Sequence, residues 1–133
     1  MDVAGTYGSD VLSPVDGVAV LKTEALGGRT VAVLFDDEVI FFSHLDKRFV
    51  KTDDIVKKGM PIGTVGMTGR TSGPHVHIGY GIKSVTRHDV TFAQNSYRVT
   101  DPKHLFYKMA FDGSGGGATV AEEGMIAPQF QEN

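Results

Sequence analysis

Two of the five histidines stand one residue apart, in Pro74-His75-Val76-His77. On a β-strand, side chains two apart project from the same face. The two imidazoles would then stand side by side. The loop before them, Thr68-Gly69-Arg70-Thr71-Ser72-Gly73, is rich in small residues and leaves space above them. A neutral imidazole binds zinc, and a second one can take a proton from bound water, so one reading is a metal ligand beside a general base. The other is a surface histidine pair on an edge strand, and the spacing alone favours that plainer reading. His44 follows Ile40, Phe41 and Phe42 at the end of an apolar run; by itself it reads as a core histidine with a satisfied hydrogen bond. His88 lies between Arg87 and Asp89 in a polar, solvated turn, and His104 between Lys103 and Leu105 at a surface or capping position. Neither suggests chemistry.

Other chemistries find little support. The chain has no cysteine, which removes thiolate zinc sites, disulfides and cysteine nucleophiles. Carboxylates are scattered, with no glycosidase-like pairing. There is no G-x-S-x-G elbow, no G-x-G-x-x-G opening a helix and no Walker lysine. Thirteen Lys+Arg against sixteen Asp+Glu give −3, which offers no basic footprint for nucleic acid. No apolar run approaches the roughly 20 residues needed to span a bilayer. The first residues, MDVAGTYGSD, show no secretory signal.

The elements that must carry the histidines are mostly strands. With 133 residues, 41% of them apolar, the chain suits one folded domain. Val18–Thr23, Thr30–Phe35 and Glu38–Leu45 are short, β-branched-rich runs. They are separated by turns at Pro14–Gly17, Gly27-Gly28 and Asp36-Asp37, the last short enough for a hairpin. Asp46–Lys58 is polar, and Gly59–Gly66 predicts tight bends between very short strands. His75–Tyr80 is a further strand, and Val85–Tyr97 one more hairpin. A single helix is predicted after Thr100 or Asp101 as N-cap, with Pro102 in its first turn and Leu105, Phe106 and Met109 on one face. Residues 1–111 thus form the domain. Residues 112–133, opening with Asp112-Gly113-Ser114-Gly115-Gly116-Gly117, read as a Gly-rich linker and flexible tail.

Five segments together resemble the lysostaphin/LytM-type zinc endopeptidases that cut peptidoglycan peptides. They are Ser13–Gly17, Phe42-Ser43-His44-Leu45, Val56-Lys57-Lys58-Gly59, Ile62–Gly69 and Gly73-Pro74-His75-Val76-His77, in the family's order across roughly residues 2–80. The resemblance implies a mostly β fold: a compact antiparallel β-sheet or sandwich with the site in a groove on the sheet. It implies Zn2+, with His77 and Asp2 as ligands, Asp2 being the aspartate of the family's His-x-x-x-Asp motif. It implies His75 as catalytic base and His44 as a second catalytic histidine that orients water or stabilises the transition state. Gly79, Tyr80 and the Lys83–Tyr97 segment are candidates for the groove walls.

The family's first ligand, a histidine four residues before Asp2, would fall ahead of Met1. The expectation is therefore a chain N-terminally truncated within the motif, with two of three ligands and impaired zinc binding. Three functions compete: a peptidase acting on peptidoglycan crosslinks, a non-catalytic binding or activator module of the same family, and a sugar-transport IIA-like phosphocarrier sharing the Pro-Val-Asp-Gly turn. The Gly73–His77 string ranks the phosphocarrier last. The resemblance implies an extracellular, cell-wall or phage-virion setting, as a tail-associated hydrolase or lysin.

Overall fold

A computed structural model describes residues 1–71 and 73–111 of the chain. The predicted linker and tail, 112–133, lie outside the described residues. In chain order the elements are β1 (Asp2–Ala4), β2 (Asp10–Leu12), β3 (Gly17–Glu24), β4 (Gly28–Phe35), β5 (Glu38–Arg48), β6 (Ile55–Val56), β7 (Pro61–Val65), β8 (His75–Lys83), β9 (Val90–Phe92), β10 (Asn95–Thr100) and the helix α1 (Pro102–Phe111). All strands join one antiparallel sheet, in the order β6-β3-β4-β5-β8-β10-β9, with β1 on β8, and β7 between β5 and β2. The fold is the mostly β, antiparallel class with one helix that the sequence predicts.

Alternation along the strands sends two sets of side chains to opposite faces. Val31 and Val33 of β4, Ile40 and Phe42 of β5, and Val76 and Ile78 of β8 are buried in the main core, which α1 covers with Leu105, Phe106 and Met109. The intervening residues Ala32, Val39 and Phe41 form a second cluster on the other face with Phe92 and Tyr97. The β9–β10 hairpin supplies those two aromatic rings. It turns at Ala93 and Gln94, both at positive φ (51° and 68°), as a tight two-residue hairpin turn requires. The helix is capped by Asp101, whose Oδ1 accepts the Lys103 N–H at 2.9 Å.

Several boundaries differ from the sequence reading. β5 runs on to Arg48 instead of stopping at Leu45. Gly59–Gly66 contains one five-residue strand, β7 (Pro61–Val65), with Ile62 and Val65 both buried in the main core. The polar stretch Asp46–Lys58 includes β6, and β1 and β2 are strands of only three residues with no periodicity to announce them. Along one edge of β8, β1 pairs with His75–His77 and β10 with Tyr80–Lys83, while β5 covers the other edge.

Candidate active site

His75 and His77 project from the same face of β8, while Val76 and Ile78 beside them are buried in the core. The predicted side-by-side placement therefore holds. β1 lies antiparallel to this stretch with Asp2 opposite His77. Cross-strand partners share a face, and the His77 Nδ1–H donates to Asp2 Oδ1 at 2.8 Å. That hydrogen bond is the largest cause holding the Asp2 carboxyl below its ordinary value, against partial desolvation. His75 Nε2 stands 3.8 Å from the same Asp2 oxygen. The His75 Nδ1–H points back into its own loop, donating to Gly73 O at 2.9 Å with Thr71 Oγ1 at 3.0 Å. The tautomer follows from the Gly73 carbonyl, which can only accept, and leaves Nε2 as the nitrogen facing the groove.

His44 reaches the same face by a different device. Leu45 pairs with Arg29 and Phe42 with Val31, so Ser43 and His44 together oppose the single residue Thr30. This is a β-bulge, and His44 takes the left-handed φ of 66° within it. Without the bulge, strict alternation would send His44 toward the core with Phe42. With it, Ser43 and His44 both leave the core face, and Phe42 and Leu45 both stay in it. The His44 ring then lies 4.8 Å, centroid to centroid, from that of His75 at an interplanar angle of 52°. The core-histidine reading of His44 is thus half right. The residue is buried and hydrogen-bonded, yet it faces the groove.

A left-handed, buried, non-glycine residue costs on the order of 1 kcal/mol or more and needs support. The support comes from Thr68 and the β3–β4 turn. The His44 N–H donates to Gly27 O at 2.7 Å, and the His44 Nδ1–H donates to Thr68 O at 2.7 Å. The Thr68 hydroxyl donates to Leu45 O at 2.6 Å and accepts the Arg29 N–H at 3.0 Å. One threonine thereby ties the bulge, the start of β4 and the imidazole together, and His44 is left presenting Nε2. The sequence places Thr68 in the Ile62–Gly69 segment and the loop before the histidine pair, without assigning it a role.

The groove around these groups encloses about 770 Å³ and is lined by Asp2, His44, His75 and His77 together with Glu24, Leu26, Gly27, Phe41, Ser43, Arg70 and Thr71. Phe41 is its apolar floor, its ring 6.4 Å from that of His77. The ring lies across β8 over Gly79, where an added Cβ would come within 2.0 Å of Phe41 Cζ. Tyr80, expected as a wall residue, instead turns into the main core and donates its hydroxyl to Glu38, because it is one residue out of phase with His77 and Gly79. His88 and His104 are exposed and remote from the groove, the latter bonded to Thr100 Oγ1 at 2.9 Å. Two of the five motif segments, Ser13–Gly17 and Val56–Gly59, brace each other instead of the site. Gly59 N–H donates to Ser13 O, and Lys58 N–H to Asp16 Oδ1, both at 2.7 Å.

Asp2 and His77 are a carboxylate and an imidazole with converging donor atoms, which is the ligand chemistry zinc takes in catalytic sites. They fit zinc in kind and fall one short of the usual three protein ligands. Among the described residues, no set of three or more His, Cys, Asp or Glu side chains is arranged to hold a metal ion.

Residues 1–89 match the model of peptidase family M23. The chain is 32% identical over 92 residues to the peptidoglycan DD-endopeptidase ShyC of Vibrio cholerae, covering 68% of this chain and 21% of that protein. It is 34% identical over 89 residues to the murein hydrolase activator NlpD of Escherichia coli, covering 64% and 24%. The chain thus spans between a fifth and a quarter of these relatives' length. Among solved structures, the catalytic domain of lysostaphin from Staphylococcus simulans superposes with a TM-score of 0.65 at 26% identity, covering 78% of this chain and 74% of that one. A zinc-containing peptidase from Vibrio cholerae superposes with a TM-score of 0.59 at 27% identity, covering 74% and 28%.

Proposed function

The chain belongs to peptidase family M23, and on that premise we propose that it is a zinc-dependent endopeptidase domain that hydrolyses peptide crosslinks of bacterial peptidoglycan. The observation that carries the proposal is the convergence of Asp2, His44, His75 and His77 on one groove from three strands, with Asp2 and His77 in contact across 75 positions of sequence. Asp2 Oδ1 and His77 Nδ1, the latter after giving up the proton it now shares with Asp2, would hold the ion, together with one further donor. When bound, zinc polarises the scissile carbonyl and acidifies water.

The protein's own groups divide the remaining work. His75 has its Nδ1–H committed to Gly73 O, so its Nε2 is the lone pair available to take a proton from the attacking water and return it to the leaving amine. His44 offers Nε2 from the facing side of the groove, held there by Thr68 O, and orients water or stabilises charge in the transition state. Phe41 gives the peptide an apolar floor next to His77. The setting proposed is the cell wall, reached from outside the cell or on a phage particle. Among the described residues no helix is long and apolar enough to cross a membrane.

The test uses this chain beside a version carrying a His-x-x-Met-Asp start. The extended version should hold one zinc per chain and release amines from peptidoglycan, and His75→Ala should abolish release while keeping the zinc. A zinc-loaded extended chain that releases no amines, or a His75→Ala variant that works as well, overturns the reading. A second reading, a non-catalytic activator module, is favoured by the likeness to NlpD. It predicts stimulation of a separate cell-wall hydrolase with no zinc bound by either version.

A further inference from the structure

The chemistry above leaves Arg70 unused. Of the described residues lining the groove it is the one permanent cation, while Asp2 and Glu24 are anions. Glu24 is already matched by Lys22, 3.5 Å away. Among the described residues no ion pair engages the Arg70 guanidinium. An exposed arginine on a loop is unremarkable by itself; what sets this one apart is how its backbone is held. The Arg70 N–H donates to Leu26 O of the β3–β4 turn at 2.8 Å. Gly69 before it sits at a φ of 76° and packs so closely on that turn that an added Cβ would lie 2.4 Å from Gly28 N. The Arg70 Cα is therefore anchored to the same turn that accepts the His44 N–H. The guanidinium swings from a fixed point on the groove lip, one residue from Thr71, which touches His75.

We propose that Arg70 reads a carboxylate on the peptide being cut, an inference that rests on the endopeptidase reading above. A planar guanidinium on a fixed anchor suits bidentate recognition of a carboxylate, which a lysine's point charge does not reproduce. With Asp2 committed to the ion and Glu24 matched by Lys22, Arg70 is the one lysine or arginine in the described groove lining left to meet a carboxylate. The substrate class that follows is an acidic stem peptide. An uncharged glycine bridge would gain nothing from this residue. The carboxylate has two possible sources, a side chain of the stem or a free C-terminus.

The experiment measures dissociation constants by NMR shift titration of the whole chain, in zinc-containing buffer, with four short stem peptides: both carboxylates free, the side-chain carboxylate amidated, the C-terminus amidated, and both amidated. The free form should bind about tenfold more tightly than the doubly amidated form, the scale of one solvent-accessible charge-assisted contact. The single amide that removes this preference identifies the source. In Arg70→Gln the preference should fall to near one, and in Arg70→Lys it should be intermediate. Equal binding of all four peptides overturns the inference and leaves the endopeptidase reading standing. A preference that survives in Arg70→Gln also overturns it. Binding of none of them also overturns the inference, while the endopeptidase reading is judged separately by amine release from the extended version.

Discussion

Replacing Gly79 by alanine tests whether Phe41 is locked in place as the groove floor. Gly79 lies in mid-strand and pairs with Phe41 across β5 and β8. Glycine in a strand interior normally costs roughly 0.5–1 kcal/mol relative to alanine, so without a steric conflict Gly79→Ala should stabilise the protein by that amount. The structure predicts the opposite sign. The new methyl would meet three atoms of the Phe41 ring, at 2.0, 2.4 and 2.5 Å. Ordinary carbon contacts need about 3.5–4.0 Å, so the ring must retreat by roughly 1.5–2 Å. It cannot do so freely, because the Phe92 ring packs against it at a tilt of 42° with centroids 5.2 Å apart. Overpacking of this kind costs about 1–3 kcal/mol, which offsets that gain and leaves a net loss of up to about 2.5 kcal/mol, centred near 1 kcal/mol. Urea unfolding followed by far-UV circular dichroism reads the change directly, given an unchanged slope. The control is Phe41→Leu, which removes the ring edge. In that background Gly79→Ala should cost less than half as much. A stabilising Gly79→Ala, or the same cost in both backgrounds, would refute the claim that glycine is there to admit the ring.

Thr68→Val removes both hydrogen bonds of a hydroxyl that serves Leu45 O and the Arg29 N–H. It should cost about 1–3 kcal/mol in the same unfolding assay, with Thr68→Ser recovering most of it; a neutral Thr68→Val would show that the bulge does not depend on this hydroxyl. For Asp89, the Val99 N–H and then Arg87 hold the carboxyl below its ordinary value of 3.8. A depressed folded value means that the unfolded chain binds more protons, so the contribution is present above the ordinary value and is lost as pH falls through the lowered one. Asp89→Asn should therefore flatten the acid limb of the stability profile between about pH 2 and 5 and leave its slope near neutrality unchanged. An acid limb identical to that of the wild-type chain would refute it.

The parts of the site that follow a strand's period of two were legible in the sequence. His75 and His77 had to share a face once β8 was recognised, and the three apolar runs became β3, β4 and β5. The parts that break the period were not. His44 shares a face with Ser43 only because one extra residue is accommodated opposite Thr30, and no composition signal in Phe42-Ser43-His44-Leu45 announces that bulge. The same local periodicity would have placed Tyr80 correctly had it been counted from His77, since an odd offset puts it in the core. Asp2 was reached by family resemblance alone. A three-residue strand carries no periodic signal, and its pairing with β8 is a tertiary fact. Thr68 and Phe41 escaped notice for a related reason. One acts through its carbonyl and hydroxyl on distant backbone, and the other takes its position from a glycine on the neighbouring strand.

The pairing of β1 with β8 ties one of the site's groups to a separate strand from its histidines. β1 contributes Asp2 and pairs with β8, where the Ile78 amide donates to Met1 O at 2.6 Å and the Met1 amino group to Ile78 O at 2.8 Å, while Met1 and Val3 pack against the core. Elements held by so few bonds detach at a fraction of the free energy of global unfolding. When β1 lifts, the carboxylate leaves with it while His44, His75 and His77 stay on the intact sheet. Any ligand gripping Asp2 therefore also fastens this strand, and the hydrogen-exchange rate of the Ile78 amide becomes a gauge of occupancy. Slowed exchange at that one position, with the β4 and β5 amides unchanged, would register the closing of a latch the size of a single strand.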